Sequence, residues 1–277
     1  MSENDAQRRS PSYLLATADQ DFLLRDEMRG LRFQLEYAKA ELALRDWRIR
    51  STVVVFGSAR IPSPEAAPLT GLAPGLMRLA PYYEKARAFA RIVSERGGAM
   101  PGEGLARDNV IATGGGPGIM EAANRGAVDV GAPSIGFNIS LPLEQEPNRY
   151  STPTLTFRFH YFAMRKMHLA MRANALAVFP GGFGTLDELF EILTLQQTRK
   201  APAAPVVLFG KRYWRRLVNF DALARDGMVT RADLALFEIV DDAEAGWAAM
   251  LRRGLVAHGP ARASPREAET SSGGRSC

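Results

Sequence analysis

Short apolar runs alternate with longer stretches of helical periodicity along most of the chain. The runs carry no charge and are rich in Val, Ile and other apolar residues; they are Thr52–Phe56, Val110–Thr113, Ser134–Ile139, Ala175–Phe179 and Val206–Phe209. Strands buried on both faces of a parallel sheet have this composition. Between the runs, segments such as 82–95, 161–173 and 185–198 repeat apolar residues at helical spacing. The alternation predicts the α/β class, with a Rossmann-like, doubly wound and mostly parallel sheet.

A different pattern precedes the first strand. Its apolar residues follow one another in alternating steps of four and three: Leu24, Met28, Leu31, Leu35, Ala38 and Leu42. This heptad-like stripe predicts a long helix or a pair of helices over residues 19–50, an N-terminal helical extension. Two interpretations stay open: the helix packs on its own domain, or it forms an oligomer contact.

The two ends of the chain lack both kinds of periodicity. Residues 1–18 are polar, and residues 258–277 are rich in Ser, Gly, Pro and Arg. Both segments are predicted to be disordered. The remaining residues, 51–257, are long enough for one sizeable core and are predicted to form a single domain.

A glycine-rich turn follows the run that ends at Phe179. Pro180 stops the strand, Gly181, Gly182 and Gly184 follow, and Thr185 is predicted to open a helix. Such a turn presents free backbone N–H groups and the positive end of the helix dipole, which suits a phosphate. The spacing of Thr185 and Glu188 also fits a capping box, in which both side chains only satisfy backbone groups.

Two further turns follow strands of the predicted sheet. Gly114, Gly115 and Gly116 come after the second strand, and Gly57 and Ser58 come after the first. Three successive glycines favour close approach of a ligand to the backbone, although tight strand–helix packing is the alternative. The dinucleotide fingerprint G-x-G-x-x-G is absent after the first strand, and neither turn has a Walker lysine. The pattern therefore favours a nucleoside monophosphate.

Composition removes several other classes of protein. The chain has 277 residues, 46% of them hydrophobic, and a net charge of +5, but its basic residues are spread among acidic ones. No nucleic-acid-binding motif, apolar segment of membrane-spanning length or signal peptide stands out. Cys277 is the only cysteine, which excludes an internal disulfide and a cysteine metal site. We expect a cytoplasmic protein with no metal, nucleic-acid or membrane partner.

Three motifs in the same order resemble the LOG ("Lonely Guy") family of cytokinin riboside 5′-monophosphate phosphoribohydrolases, many of which are labelled lysine decarboxylase-like. Residues 180–188, PGGFGTLDE, resemble its PGGxGTxxE signature, and residues 114–121 are GGGPGIME. The third motif is the basic pair Arg165-Lys166. By composition alone Arg165 would be a solvated residue of a helix surface, whereas the resemblance implies that it is catalytic.

The resemblance implies a hydrolase (EC 3.2.2.-) that splits AMP or a cytokinin riboside 5′-monophosphate into free base and ribose 5-phosphate, without a cofactor. Its catalytic pair would be Arg165 and Glu188. Homodimers or larger homo-oligomers are expected. The implied substrate-binding residues are Gly57, Ser58, Gly114, Gly115, Gly116, Glu144, Lys166, Gly181, Gly182, Phe183, Gly184, Thr185 and Thr194. A loop glutamate contacts the nucleotide in the family, and Glu146 competes with Glu144 for that position.

Two alternatives differ in chemistry. A nucleotide-sensing protein would have the same pocket without turnover. A decarboxylase dependent on pyridoxal phosphate would need a lysine for the Schiff base, and Lys166 is the lysine near the motifs. His168, in the same predicted helix, is expected to pack or to lie on the surface rather than to act as a base.

Overall fold

The computed structural model describes residues 3–66, 73–102, 104–141 and 146–256. Within these ranges seven strands form one sheet: β1 (Thr52–Phe56), β2 (Val110–Thr113), β3 (Ser134–Ile139), β4 (Thr156–Phe159), β5 (Ala173–Val178), β6 (Val206–Phe209) and β7 (Phe237–Val240). All six strand pairings are parallel. The α/β class is confirmed, and the sheet is parallel throughout rather than mostly so.

Eleven α-helices lie in the described part of the chain. They are α1 (Asp5–Arg8), α2 (Gln20–Leu24), α3 (Arg29–Asp46), α4 (Pro74–Met77), α5 (Pro81–Arg96), α6 (Ile119–Val128), α7 (Phe162–Met171), α8 (Phe183–Gln197), α9 (Lys211–Leu217), α10 (Phe220–Arg225) and α11 (Ala243–Arg252). None of them is long and apolar enough to cross a membrane. Helices α6 and α11 both pack on α5, while α7 packs on β3 and β4.

The strand order determines where a ligand would bind. The sheet runs β4-β3-β2-β1-β5-β6-β7, so the chain first builds outward from β1 and then restarts on its other side with β5. In open α/β sheets the crevice at such a reversal, beyond the carboxyl ends of the strands, is the usual ligand site. The turns that follow β1 and β5 meet here, because the Ser58 N–H donates to the Pro180 carbonyl over 3.0 Å.

Strand β4 was missed by the sequence analysis. Its four residues alternate, with Phe157 and Phe159 buried and Arg158 exposed. This alternation is typical of an edge strand with one solvated face, whereas the apolar runs indicate strands covered on both faces. Because the strand has only four residues and follows a segment rich in Ser, Thr and Pro, the sequence pattern indicated it only weakly.

The N-terminal extension packs on its own domain through an unexpected face. Helix α3 contacts α7, and its buried residues are Ala40 and Leu44. The heptad-like stripe faces solvent instead: Leu24, Leu31, Leu35 and Leu42 are all exposed. Within the segment predicted to be disordered, the structure has α1 and a 3-10 turn at Pro11–Tyr13. Residues 257–277, which include the predicted tail, lie outside the described residues.

Candidate functional site

Arg165 and Glu188 lie next to each other, although 23 residues separate them in the sequence. Helix α7 carries the arginine and α8 the glutamate, and Arg165 Nη1 is 3.5 Å from Glu188 Oε1. The two side chains are only 13% and 7% exposed. Because β5 returns the chain to the same edge of the sheet between the two helices, a single buried ion pair forms at the carboxyl end of the strands.

The backbone around Arg165 fixes its guanidinium group. Arg165 Nε donates to the carbonyl of Phe137 in β3 over 2.9 Å. Gly114 lies against the same group, since a Cβ atom there would be 2.7 Å from Arg165 Nη2 and 2.8 Å from Met120 Sδ. The first glycine of the second turn therefore makes room for the arginine.

Burial dominates the electrostatics of this pair. Desolvation raises the pKa of Glu188 to about 7, against the opposing effect of Arg165 and Lys166. Burial also lowers the pKa of Arg165, and the Glu188 carboxylate opposes that change. The Glu188 carboxyl group is therefore close to half-protonated near neutral pH, a property of groups that exchange protons with a substrate or with water.

The turn after β5 has open space beside two of its glycines. A Cβ atom at Gly182 or Gly184 would meet no atom within 4 Å, whereas one at Gly181 would collide with Thr185. Helix α8 begins at Phe183 with Gly182 as its N-cap, so the N–H groups of its first turn have no acceptor within the helix. The backbone thus presents donors and a positive dipole to open space.

The capping-box interpretation of Thr185 and Glu188 is wrong. Because the helix begins two residues earlier than predicted, Thr185 lies inside the first turn, and no side chain caps the helix. Thr185 and Glu188 are both buried. Glu188 is thus free of a local structural role at the end of the helix.

The second glycine-rich turn is held by buried polar groups. Gly115 has a φ of +72°, and a Cβ atom there would be 2.4 Å from Asn138 Nδ2. Asn148 donates from its backbone N–H to the Gly115 carbonyl and from Nδ2 to the Gly116 carbonyl, over 2.8 and 3.0 Å. Both of these carbonyls of the turn are therefore hydrogen-bonded to Asn148.

Comparisons with known proteins found similar sequences. A family profile described as "Possible lysine decarboxylase" matches residues 120–250, which include both Arg165 and Glu188. The cytokinin riboside 5′-monophosphate phosphoribohydrolase of Rhodococcoides fascians is 27% identical over 183 residues, covering 60% of this chain and 92% of that protein. Both matches show that the chain is similar in sequence to the LOG family.

Two solved structures are also similar to this chain. One is an X-ray structure from the Northeast Structural Genomics Consortium, with 18% identity and a TM-score of 0.48 over 73% of this chain and 99% of the other. The second is the molybdenum cofactor binding protein of Rippkaea orientalis, with 18% identity and a TM-score of 0.43 over 73% and 96%.

The turn after β1 joins the other two glycine-containing turns. Gly57 is needed for close packing, because a Cβ atom there would be 2.5 Å from Ile119. Ser58 accepts the Ile119 N–H at its carbonyl, and its Oγ accepts the Arg60 N–H. Together with its bond to Pro180, Ser58 connects the turns after β1, β2 and β5.

Other residues implied by the LOG resemblance lie away from the ion pair. Lys166 Nζ pairs with Asp187 and Glu191, at 2.7 and 3.1 Å. Thr194 is exposed and donates to the Phe190 carbonyl. Thr194 follows Thr185 by nine residues, which places the two on opposite faces of α8.

Phe183 and a loop glutamate, Glu144 or Glu146, are also implied by the resemblance for substrate binding. Phe183 is 93% exposed at the start of α8. Glu146 borders a cavity next to Asn138, at the carboxyl end of β3. Glu144 lies outside the described residues.

Sequence reasoning missed two groups that shape the candidate site. One is Asn148, described above, and the other is Tyr213 in α9, whose hydroxyl donates to the Gly181 carbonyl over 2.5 Å. Neither belongs to a motif, because their function depends on strands and turns that are far apart in the sequence.

His168 is buried, which agrees with the expectation that it packs within the domain.

Lys166 does not fit a Schiff base with pyridoxal phosphate. Burial alone would lower the pKa of the amine, but the carboxylates of Asp187 and Glu191 outweigh burial and raise it. Schiff-base formation needs a neutral amine. Within the described residues there is also no group of three His, Cys, Asp or Glu side chains that could hold a metal ion.

Proposed function

We propose that this protein hydrolyses the N-glycosidic bond of nucleoside 5′-monophosphates, AMP or a cytokinin riboside 5′-monophosphate. The supporting observation is the buried Arg165–Glu188 pair at the edge where three glycine-containing turns meet. The name of the relative from Rhodococcoides fascians supports the same reaction. The products would be a free base and ribose 5-phosphate.

Glu188 and Arg165 would have different roles in the reaction. As the bond from C1′ to the base breaks, the sugar becomes cationic, and the Glu188 carboxylate stabilises it and activates the attacking water. Arg165 positions the nucleotide and stabilises the negative charge that develops on the departing base. The water loses one proton and the base gains one, so the reaction needs no other reactant.

The 5′-phosphate would bind at the start of α8. The N–H groups of Phe183, Gly184 and Thr185 have no acceptor within the helix, and the helix dipole favours an anion there. Gly114, Gly115 and Gly116 would line the nucleotide pocket, with Gly57 and Ser58 beneath. Lys166, which contributes to the electrostatics of Glu188, would act from the rim.

Product analysis tests the reaction directly. We expect the purified protein, without added metal, to convert AMP or an N6-substituted AMP into equal amounts of base and ribose 5-phosphate, as measured by chromatography. Adenosine, which lacks the phosphate, is the control and should react far more slowly. Intact AMP after long incubation would contradict the proposal, and tight AMP binding by calorimetry in that case would select the sensing alternative.

A variant of Gly114 tests whether the position of Arg165 matters. In Gly114→Ala the new methyl group would displace the flexible ends of Arg165 and Met120, so the fold should persist while the ion pair separates. We expect kcat to fall by roughly tenfold or more with little change in Tm. Gly30→Ala, where a Cβ atom meets nothing within 4 Å, is the control. Unchanged kcat in Gly114→Ala would contradict this geometry.

The proposal includes a cytoplasmic homodimer or larger homo-oligomer. Two aromatic residues of α8 are exposed beside the site: Phe183 is 93% exposed and Phe190 is 37% exposed. A second copy of the chain could cover this surface. Light scattering on the purified protein would give the number of chains.

A further inference from the structure

The N-terminal helix α3 supplies the negative charge that α7 lacks at its own start. Helix α7 has no acidic residue in its first turn, and no side chain of its own caps it. Instead the Glu36 carboxylate accepts the N–H of His160 over 2.7 Å and the N–H of Tyr161 over 3.2 Å. A carboxylate in this position satisfies backbone donors and complements the helix dipole.

Tyr161 connects this carboxylate to Arg165 through the backbone of a single residue. Its N–H donates to Glu36, and its carbonyl accepts the backbone N–H of Arg165 over 3.2 Å. The Tyr161 hydroxyl accepts a hydrogen bond from Arg32 Nε over 2.8 Å, and its ring meets the ring of Phe33 edge to face at 4.4 Å. Three residues of α3 therefore hold Tyr161 in place, and the carbonyl of Tyr161 accepts the backbone N–H of Arg165 in the first turn of α7.

Helix α3 also holds the far end of α7. Glu41 makes two hydrogen bonds with Arg172, at 2.7 and 2.8 Å, and both side chains are largely buried. Tyr37 stacks on His168 at 5.3 Å between the ring centroids. Arg165 lies between these two attachments, and both of its side-chain anchors, Phe137 and Glu188, lie outside α7.

We propose that Glu36 is a positioning residue for catalysis, which sets the start of α7 and through it the place of the Arg165 guanidinium. This inference rests on the proposed function for its kinetic consequence. It gives the N-terminal extension a role in the site that differs from both oligomer contact and simple packing. The outward-facing leucines of α3 are not needed for it.

Kinetics of Glu36→Ala test the inference. Because Arg165 would act on charge that develops in the transition state, we expect kcat for AMP to fall by roughly 10- to 100-fold while KM changes by less than about threefold. Glu36→Gln keeps one acceptor oxygen and should recover part of the lost kcat. Gln34→Ala, on the exposed side of the same helix, is the matched control and should behave like the wild type.

Hydrogen exchange measures the start of α7 independently of activity. In Glu36→Ala the amides of residues 160–166 should exchange faster than in the wild type, and in Gln34→Ala they should not. Should Glu36→Ala not fold, Glu36→Gln is judged by the same two readouts, with a smaller expected change.

Several results would overturn the positioning role. They are unchanged kcat, a rise in KM with kcat retained, unchanged exchange over 160–166, or an equal loss of kcat in Gln34→Ala. A wild-type protein that cleaves no nucleotide would instead refute the proposed function. The exchange profile would still decide whether Glu36 holds the start of α7.

Discussion

Glu188→Gln is expected to lower kcat for nucleoside monophosphate cleavage by roughly 100- to 1000-fold, the usual cost of removing one preorganised group from a transition state. Glutamine keeps the shape of the side chain but can neither accept a proton from water nor balance a cationic sugar. Because Glu188 does not cap its helix, the variant should fold normally. Steady-state kinetics and a thermal melt on the same sample measure both effects.

Asp187→Asn provides the control for this experiment. Asp187 is the neighbouring residue on α8, is 55% exposed and pairs with Lys166 rather than with Arg165. We expect its kcat to stay within about threefold of the wild type, as for other surface positions outside the reacting groups. If Glu188→Gln retained a tenth of the activity, or lost activity only in proportion to folded protein, a direct role in the chemistry would be refuted.

Arg165→Lys should lose a similar amount of activity even though the charge is kept. Lysine cannot reproduce the planar group that bonds the Phe137 carbonyl through Nε while Nη1 approaches Glu188. Full activity in this variant would show that only a positive charge is required.

The strands that build the site could be predicted from the sequence because they are covered on both faces. The bounds of β1, β2, β3 and β6 agree with the predicted runs residue for residue. Such strands are mostly apolar and uncharged, so composition identifies them. The glycine-rich turns could also be predicted, because each of them directly follows one of these apolar runs.

The orientation of the extension could not be predicted from its stripe of leucines. The stripe predicts a helix correctly, but α3 uses its polar and aromatic residues to contact α7. Hydrogen bonds such as those of Glu36 join residues about 125 positions apart, and no local pattern encodes them. The same reason explains why Asn148 and Tyr213 were missed.

Stability measurements across pH test the electrostatics of Glu188 separately from catalysis. We expect the free energy of unfolding of the wild type, relative to Glu188→Gln, to fall as the pH rises from about 4.5 to above 7. The folded protein holds this proton up to a pKa of about 7, whereas the unfolded chain releases it near the ordinary value of 4.5. The favourable contribution of the protonated group is complete below pH 4.5 and is lost as the pH passes through 7.

The expected change is on the order of 3 kcal/mol over that range, from a pKa difference of about 2.5 at about 1.4 kcal/mol for each pH unit. Urea unfolding of both proteins at several pH values between 5 and 8 would measure it. Glutamine does not titrate, so the difference between the two proteins isolates the one carboxyl group from all others. Thr194→Ala, a neutral change on the exposed face of α8, should differ from the wild type by the same amount at every pH. If the difference in unfolding free energy between the wild type and Glu188→Gln is also independent of pH, the carboxyl group ionises as it does in water. Burial would then not tune its pKa for proton transfer.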